Sequence, residues 1–361
     1  MDLFKENSPN KLNFHLFSAN GSNIEKFPIK IREIYGVQHM KFLIFDDTII
    51  LTGANISKTY LMNRQDRYYV IKNSPNLKRF LISCYETITK FCYKIVEYEF
   101  TFNDKLPCND NMSLFIVILA SEINKMIQYY SQNCDLTFGQ FNEQRHKLES
   151  NYAIIFPLIQ FGKCNILNID NFIKHIIKTL PNHQSSILIT SAYINFDDNI
   201  EKTISRVASK ECIFDLVLPN PKTNSFYQGG FLMNHISGMY SLFIQKLYKE
   251  YCPNDNIRLY EYRFNGNTYH AKGIWIESKN DVEPIFTLFG SSNLNQRSTV
   301  RDLELNFALY TSDKLLKNKI QNESHQILQN SHPLCYEACY KKEYDIPILC
   351  HLLKYIARSY F

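Results

Sequence analysis

His39-Met-Lys41-Phe-Leu-Ile-Phe-Asp46, followed by Thr52-Gly-Ala-Asn55, and His270-Ala-Lys272-Gly-Ile-Trp-Ile-Glu277, followed by Gly290-Ser-Ser-Asn293, are two copies of one pattern. Each copy reads His-x-Lys-x4-acid, then small residues closed by an asparagine. A further carboxylate stands eleven residues past that asparagine in both copies, Asp66 in the first and Glu304 in the second. One His-x-Lys match is a weak signal, but two with the same downstream stations are not a chance arrangement. Two His/Lys pairs suggest a phosphodiester site: one imidazole attacks phosphorus and the other manages the proton of the leaving group.

The neighbouring residues predict the local geometry. Phe42 to Phe45 and Ile49 to Leu51 are short β-prone runs, and Asp46-Asp47-Thr48 between them reads as a hairpin turn. On a strand, side chains two apart share a face, so His39 and Lys41 project together. Asp46 lies an odd number of residues from both, which favours a supporting role for it over a catalytic one. Gly273 to Ile276 and Ile285 to Phe289 repeat the hairpin with a longer turn at Ser278 to Pro284.

Ahead of the second motif, Ser186 to Tyr193 and Phe214 to Leu218 read as buried strands. Asn234 to Tyr251 reads as an amphipathic helix, with Ile236, Met239, Tyr240, Phe243, Leu247 and Tyr251 at helical spacing. Ile257 to Tyr262 is a further strand. The first motif has only 38 residues ahead of it. Leu12 to Phe17 is the candidate match to the strand at Ile257, and nothing matches the two earlier strands and their helix. By the size of the second repeat, roughly a hundred residues of the first are wanting.

The paired motifs resemble the HKD signature of the phospholipase D superfamily. The flanks are similar to the eukaryotic mitochondrial phosphatidylglycerophosphate synthase family at Gly36 to Lys41, Gly53 to Ser57, Asn63 to Tyr68, Phe156 to Gln160, Tyr269 to Trp275, Arg297-Ser298, Arg301 to Glu304 and Leu352 to Phe361. The likeness spans most of the chain and is dense only around the motifs. It implies an α/β phospholipase D-like fold: two α/β/α-sandwich repeats with the active site at their pseudo-twofold interface, the first repeat truncated. The expected organisation is a first, incomplete repeat over 1–102, a linker and helical segment over 103–151, a second repeat over 152–312 and a C-terminal helical extension over 313–361. Family features at the short end, such as a nucleotide-binding loop or a targeting peptide, cannot be carried over.

The resemblance also implies the chemistry: transfer of a phosphatidyl group from CDP-diacylglycerol to glycerol 3-phosphate, giving CMP and phosphatidylglycerophosphate on the way to cardiolipin. The catalytic set it implies is His39, Lys41, Asp46, His270, Lys272 and Glu277. Lys41 and Lys272, with Asn55 and Asn293, offset the charge of the phosphate. His39 is the expected nucleophile, forming a phosphatidyl-histidine. His270 is the expected general acid and then base, since imidazole titrates near neutrality. Asp66 and Glu304 are expected to accept from the far ring nitrogens of the histidines and fix their tautomers. Arg64, Arg67, Arg297 and Arg301 are either phosphate ligands or ion-pair partners of Asp66, Asp302 and Glu304. The lysines supply the charge, so neither metal nor cofactor is expected. The expected partners are the two substrates and, peripherally, a membrane surface, without nucleic acid, and the expected location is the inner-membrane side of the mitochondrion.

Composition bounds this reading without deciding it. The chain has 361 residues, 45% of them hydrophobic, enough for one or two packed domains. A net charge of +5 is mild and does not select nucleic acid or anionic lipid. The 10 cysteines contain no CxxC pair, which argues against a zinc site or disulfide scaffold. No apolar run reaches spanning length, and Met1 to Glu6 does not read as a signal peptide. Trp275 reads as core, and the other eight histidines carry no partner pattern. The apolar tail from Tyr344 to Phe361 reads as docking on the core, with a membrane surface as the alternative. Two other functions share these residues. A hydrolase would let water attack the intermediate, and a nuclease would need a long basic groove with stacking aromatics, which the sequence lacks. An inactive relative would keep the fold without turnover.

Overall fold

A computed structural model describes residues 13–17, 36–96, 99–101, 112–134, 137, 140–141, 151–179, 185–208, 212–223, 231–251, 253–263, 268–278, 285–340 and 346–357. The N-terminal residues, the turn at 279–284, most of the linker and the last four residues lie outside the described set.

Strand β1 (Phe14–Phe17) opens the described chain. β2 (Phe42–Phe45) and β3 (Thr48–Thr52) form the expected hairpin, with Phe45 opposite Thr48. Asp46 turns it at a φ of 48°, a conformation aspartate tolerates because its short side chain bonds locally. A short helix, α1 (Lys58–Asn63), leads through β4 (Arg64–Gln65) to β5 (Tyr68–Lys72), which pairs with β3. Helix α2 (Pro75–Thr89) starts on a proline, whose fixed φ and missing N–H suit a first turn. β6 (Cys92–Val96) and β7 (Glu99–Thr101) follow, then α3 (Met112–Gln132). β1 pairs with β6 alone, in a separate sheet of order β1-β6-β7. The strand Ile257–Tyr262 is likewise antiparallel to the strand Ser331–Pro333 that follows the helix Lys314–Gln329, as β1 is to β6 after α2, so Phe14–Phe17 pairs as expected of a match to the Ile257 strand.

The second repeat contributes β8 (Ala153–Phe161), β9 (Ile166–Leu167), α4 (Asn168–Thr179), β10 (Ser185–Thr190), α5 (Asp198–Ala208), β11 (Ile213–Pro219), α6 (Phe231–Tyr251), β12 (Ile257–Tyr262), β13 (Thr268–Tyr269), β14 (Gly273–Ser278), β15 (Ile285–Gly290), α7 (Gln296–Val300) and β16 (Leu303–Thr311). Then come α8 (Lys314–Gln329), β17 (Ser331–Pro333), α9 (Tyr336–Cys339) and α10 (Ile348–Ala357). Nine strands make one mixed sheet in the order β17-β12-β11-β10-β14-β15-β16-β8-β9. β10, β11 and β12 run parallel, each pair joined by a helical crossover, and the rest pair antiparallel.

Period-two alternation sends each strand's side chains to two different cores. Ile187, Ile189, Ile274, Ile276, Phe286 and Leu288 point to the side of α4, α5 and α6. Leu188, Trp275, Phe289, Leu305 and Phe307 point to the other side, where they meet Ile49 and Leu51 of β3 and the apolar faces of α2, α3 and α8. The two repeats therefore share one hydrophobic core, and apolar burial holds them together.

The repeats differ on the opposite face. Phe45 and Val70 are 58% and 59% exposed, whereas Ile276 and Ala308, at the same stations of the second repeat, are 5% and 1% exposed. At the C-terminus Cys350 packs with Met239, Tyr240 and Phe243 of α6, while Ile348 and Leu352 stay exposed.

Candidate active site

Each histidine is placed by the other repeat. The His39 amide donates to the Leu303 carbonyl at 2.8 Å, and the His270 amide donates to the Gln65 carbonyl at 2.9 Å. Leu303 and Gln65 are the residues just before Glu304 and Asp66. Gln38 bridges parallel to Leu303, and β13 pairs parallel with β4. The chain ahead of each motif is thus zipped to the chain ahead of the opposite carboxylate.

The carboxylates are consequently exchanged. His39 Nδ1 bonds Glu304 at 3.0 Å, and His270 Nδ1 bonds Asp66 at 2.6 Å. Both acids are buried, and both histidines present Nε2 as the remaining ring nitrogen. The sequence supplied the four residues, and the structure shows the pairing crossing the interface.

Burial alone would raise Glu304, but His39, Lys41 and the Ser291 hydroxyl hold it ionised at about 2. Ser291 and Ser298 both donate to it, Ser298 at 2.7 Å. Burial opposes Asp66 ionisation too, and Lys272, His270 and the Arg67 amide at 2.8 Å overcome it, leaving its pKa lowered.

The lysines sit in matching positions. Lys41 Nζ donates to the His39 carbonyl at 2.6 Å, and Lys272 Nζ to the His270 carbonyl at 3.0 Å. Burial drives Lys41 down to about 7, partly offset by Glu304, with Lys272 as a neighbouring cation. Burial also lowers Lys272, against the pull of Asp66 and Glu304. Burial, then Lys272, hold His270 neutral, with a pKa of about 3. In the free protein this leaves the His270 ring uncharged. The two lysines feel each other and both carboxylates, so the half-sites form one electrostatic unit.

Gly53 shows how tightly the halves meet. A Cβ there would lie 2.6 Å from the Gly290 carbonyl and 3.2 Å from Lys272 Nζ. Only hydrogen fits between the two backbones at the interface.

Other expected site residues fall elsewhere. Asp46 is exposed in the hairpin turn, and Glu277 ends β14, where it accepts from Ser324 of α8 at 2.6 Å. Neither joins the histidines, because each lies at the far end of the strand that follows its lysine. Arg67 is no phosphate ligand. It is 2% exposed, forks onto Glu323 at 2.8 and 2.9 Å, donates to the Leu288 carbonyl and stacks on Trp275 at 3.8 Å. Arg297 pairs with Asp302, the ion-pair alternative. Arg301 lies near Lys163, which burial and that arginine lower to about 8. Arg64 remains at the cleft, over the Tyr60 ring at 4.1 Å. Asn55 donates to Tyr60, and Asn293 keeps a buried Oδ1 that accepts no hydrogen bond.

Sequence reasoning missed Tyr60, Ser298 and Glu323. Ser298 stands beside the motif, but Tyr60 and Glu323 show no pattern by themselves. Among the described residues no group of three or more His, Cys, Asp or Glu side chains could hold a metal. A separate cavity of about 970 Å³ between α2, α3 and β8, lined by residues including Tyr129, Tyr130, Ile154 and Phe172, contains none of the motif residues.

This sheet, with two histidine–lysine half-sites meeting across the repeat interface, defines a phospholipase D-like fold, and comparison with known proteins agrees. Residues 176–328 match the family model described as the cardiolipin synthase, phospholipase D-like domain. A solved phosphatidylserine synthase from Haemophilus influenzae superposes with a TM-score of 0.65 over 90% of this chain and 69% of that one, at 20% identity. The chain thus carries a phospholipase D-like domain over 176–328. It is similar to a probable CDP-diacylglycerol–glycerol-3-phosphate 3-phosphatidyltransferase of Dictyostelium discoideum, 30% identical over 96% of this chain and 61% of the relative. It is also similar to the Gallus gallus protein of that name, designated mitochondrial, 26% identical over 87% of this chain and 60% of the relative. The chain spans about three-fifths of the length of these relatives.

Proposed function

We propose that the chain transfers the phosphatidyl group of CDP-diacylglycerol to glycerol 3-phosphate. The observation that carries this reading is the exchanged pairing of His39 with Glu304 and His270 with Asp66, which holds two imidazoles on one cleft with Nε2 left for chemistry. The relatives' names supply the donor and the acceptor.

In this reading His39 Nε2 attacks the phosphatidyl phosphorus as the bond to CMP breaks. Lys41, Lys272, Arg64 and the Asn293 amide face the charge that builds on the phosphoryl oxygens. CMP leaves as an anion and needs no proton from the neutral His270. Glycerol 3-phosphate then attacks the phosphatidyl-histidine, its hydroxyl proton passing to the His270 side as the P–N bond breaks. Lysines carry the charge throughout, so no metal is invoked.

The donor is a membrane lipid, and α1 at the cleft fits a bilayer surface. Ile56, Leu61 and Met62 are 79%, 68% and 69% exposed beside the exposed Lys58, an apolar edge with a cation able to reach headgroups. The contact proposed for this edge is peripheral; no described helix is long and apolar enough to cross a membrane. Nucleic acid is not among the proposed ligands. The mitochondrial designation of vertebrate relatives supports that organelle as the location, and the place proposed within it is the inner-membrane side.

The test is turnover of radiolabelled CDP-diacylglycerol with and without glycerol 3-phosphate. Acceptor-dependent phosphatidylglycerophosphate that disappears in His39→Asn is the expected outcome. Acceptor-independent phosphatidic acid would make the protein a hydrolase instead.

A further inference from the structure

Tyr60 occupies the reactive side of His270. Its hydroxyl lies 3.3 Å from Nε2, and its ring meets the imidazole edge-to-face with centroids 4.8 Å apart. Two further contacts hold it there: Asn55 Nδ2 donates to the hydroxyl at 3.1 Å, and the Arg64 guanidinium covers one ring face at 4.1 Å. With Nδ1–H directed to Asp66, Nε2 is left as an acceptor, so the Tyr60 O–H donates to it. A substrate oxygen exchanging a proton with His270 meets the tyrosine hydroxyl first. The His39 half is built differently. The residue at the station of Tyr60 is Ser298, and its hydroxyl donates to Glu304. The two half-sites are thus unequal on the side where a proton must move, and the tyrosine sits only on the half assigned to acid–base work.

We propose that Tyr60 is a catalytic residue that takes the proton from the acceptor hydroxyl while passing its own to His270. The proposal rests on the phosphatidyl-transfer reading above. In the second half-reaction the acceptor oxygen forms its bond to phosphorus, and the electron pair of the breaking P–N bond returns to His39. In the same step the acceptor proton moves to the Tyr60 oxygen, and the tyrosine proton moves to His270 Nε2. The imidazolium so formed lies against Asp66 and gives its proton to solvent before the next cycle. Asn55 then acts as a positioning residue for the tyrosine oxygen, more than as a ligand of the substrate phosphate.

The half-reactions separate this role from a structural one. In rapid-quench measurements on wild type and Tyr60→Phe, CMP release reports attack by His39, and labelled phosphatidylglycerophosphate reports transfer. The expected result is a loss in transfer about 10²-fold greater than the loss in CMP release, the usual scale for one proton-transfer group. Equal slowing of both steps, or none, overturns the proposal. A second readout needs no substrate. In ¹⁵N-histidine-labelled protein, the Nε2 resonance of His270, assigned with His270→Gln, should move in Tyr60→Phe while the ring stays neutral. An unmoved resonance refutes the hydrogen bond. Wild-type protein that releases no CMP yet shows the shift would sink the phosphatidyl-transfer reading and with it the relay, leaving only the contact.

Discussion

Lys41 carries the clearest pH signature of any residue at the site. Burial brings its ammonium down to about 7, so in the free protein it loses its charge as pH rises through neutrality. Since kcat/KM reports the free enzyme, it should fall above pH 7, while kcat should hold to higher pH because a bound phosphate anion favours the protonated lysine. Lys41→Arg should move the alkaline limb of kcat/KM upwards, since a guanidinium stays charged. A limb unmoved in that variant would assign it to another group. Glu304 acts across the interface. Glu304→Gln should slow CMP release by about 10²-fold or more, because the far-side partner of His39 sets its tautomer. The histidines, lysines and two carboxylates were legible in the sequence because both copies carry them at equal spacing. Their exchanged pairing was not, since nothing in linear spacing distinguishes His39–Glu304 from His39–Asp66. Tyr60 was invisible for a related reason: its partner is 210 residues away. The four arginines looked alike in sequence, and burial alone separates Arg67 from Arg64.

At the level of elements, Arg67 ties β4 and β5 of the first repeat to the second sheet and to α8. Its guanidinium fills space that Gly273 leaves open; a Cβ on that glycine would lie 2.0 Å from Nη1. Arg67→Leu should destabilise the protein by about 3–5 kcal/mol, the cost of leaving a buried partner uncompensated. Denaturant unfolding checks this, and Arg67→Leu with Glu323→Gln should cost less than the two single changes added. Helix α1 and Ile56 just ahead of it have the opposite character, with Ile56, Leu61 and Met62 directed outwards. Replacing Ile56, Leu61 and Met62 together by serine should leave the melting temperature nearly unchanged and reduce flotation with anionic vesicles. Undiminished flotation would place the lipid-facing surface elsewhere. The hairpins, β10, β11, β12 and the helix at Asn234 were legible because short β-prone runs and helical periodicity point the same way as the tertiary packing. The helix at Asn234 begins three residues earlier than its periodicity indicated. β1 holds the station its match to the Ile257 strand predicts, antiparallel to β6 as β12 is to β17, but in a separate sheet, which a four-residue apolar run does not reveal.

For the molecule as a whole, the two repeats differ in how much of each sheet is covered. In the second, α4, α5 and α6 seal one face of a nine-stranded sheet. In the first, the same face of a three-stranded sheet leaves Phe45 and Val70 open to water. Among the described residues, no strand of the first repeat stands where β10 and β11 stand in the second. The cleft does not depend on that face. It is built where Gly53 meets Gly290, with each histidine set by a carboxylate and a backbone carbonyl from across the interface. One composite centre with His39 as its nucleophile is therefore the central claim. The direct measurement is peptide mapping of protein incubated with CDP-diacylglycerol alone and quenched at alkaline pH, where phosphohistidine survives. A phosphatidyl adduct on the peptide holding His39, lost in Glu304→Gln, is the expected result. An adduct on the His270 peptide, or phosphatidic acid with no adduct, would contradict it.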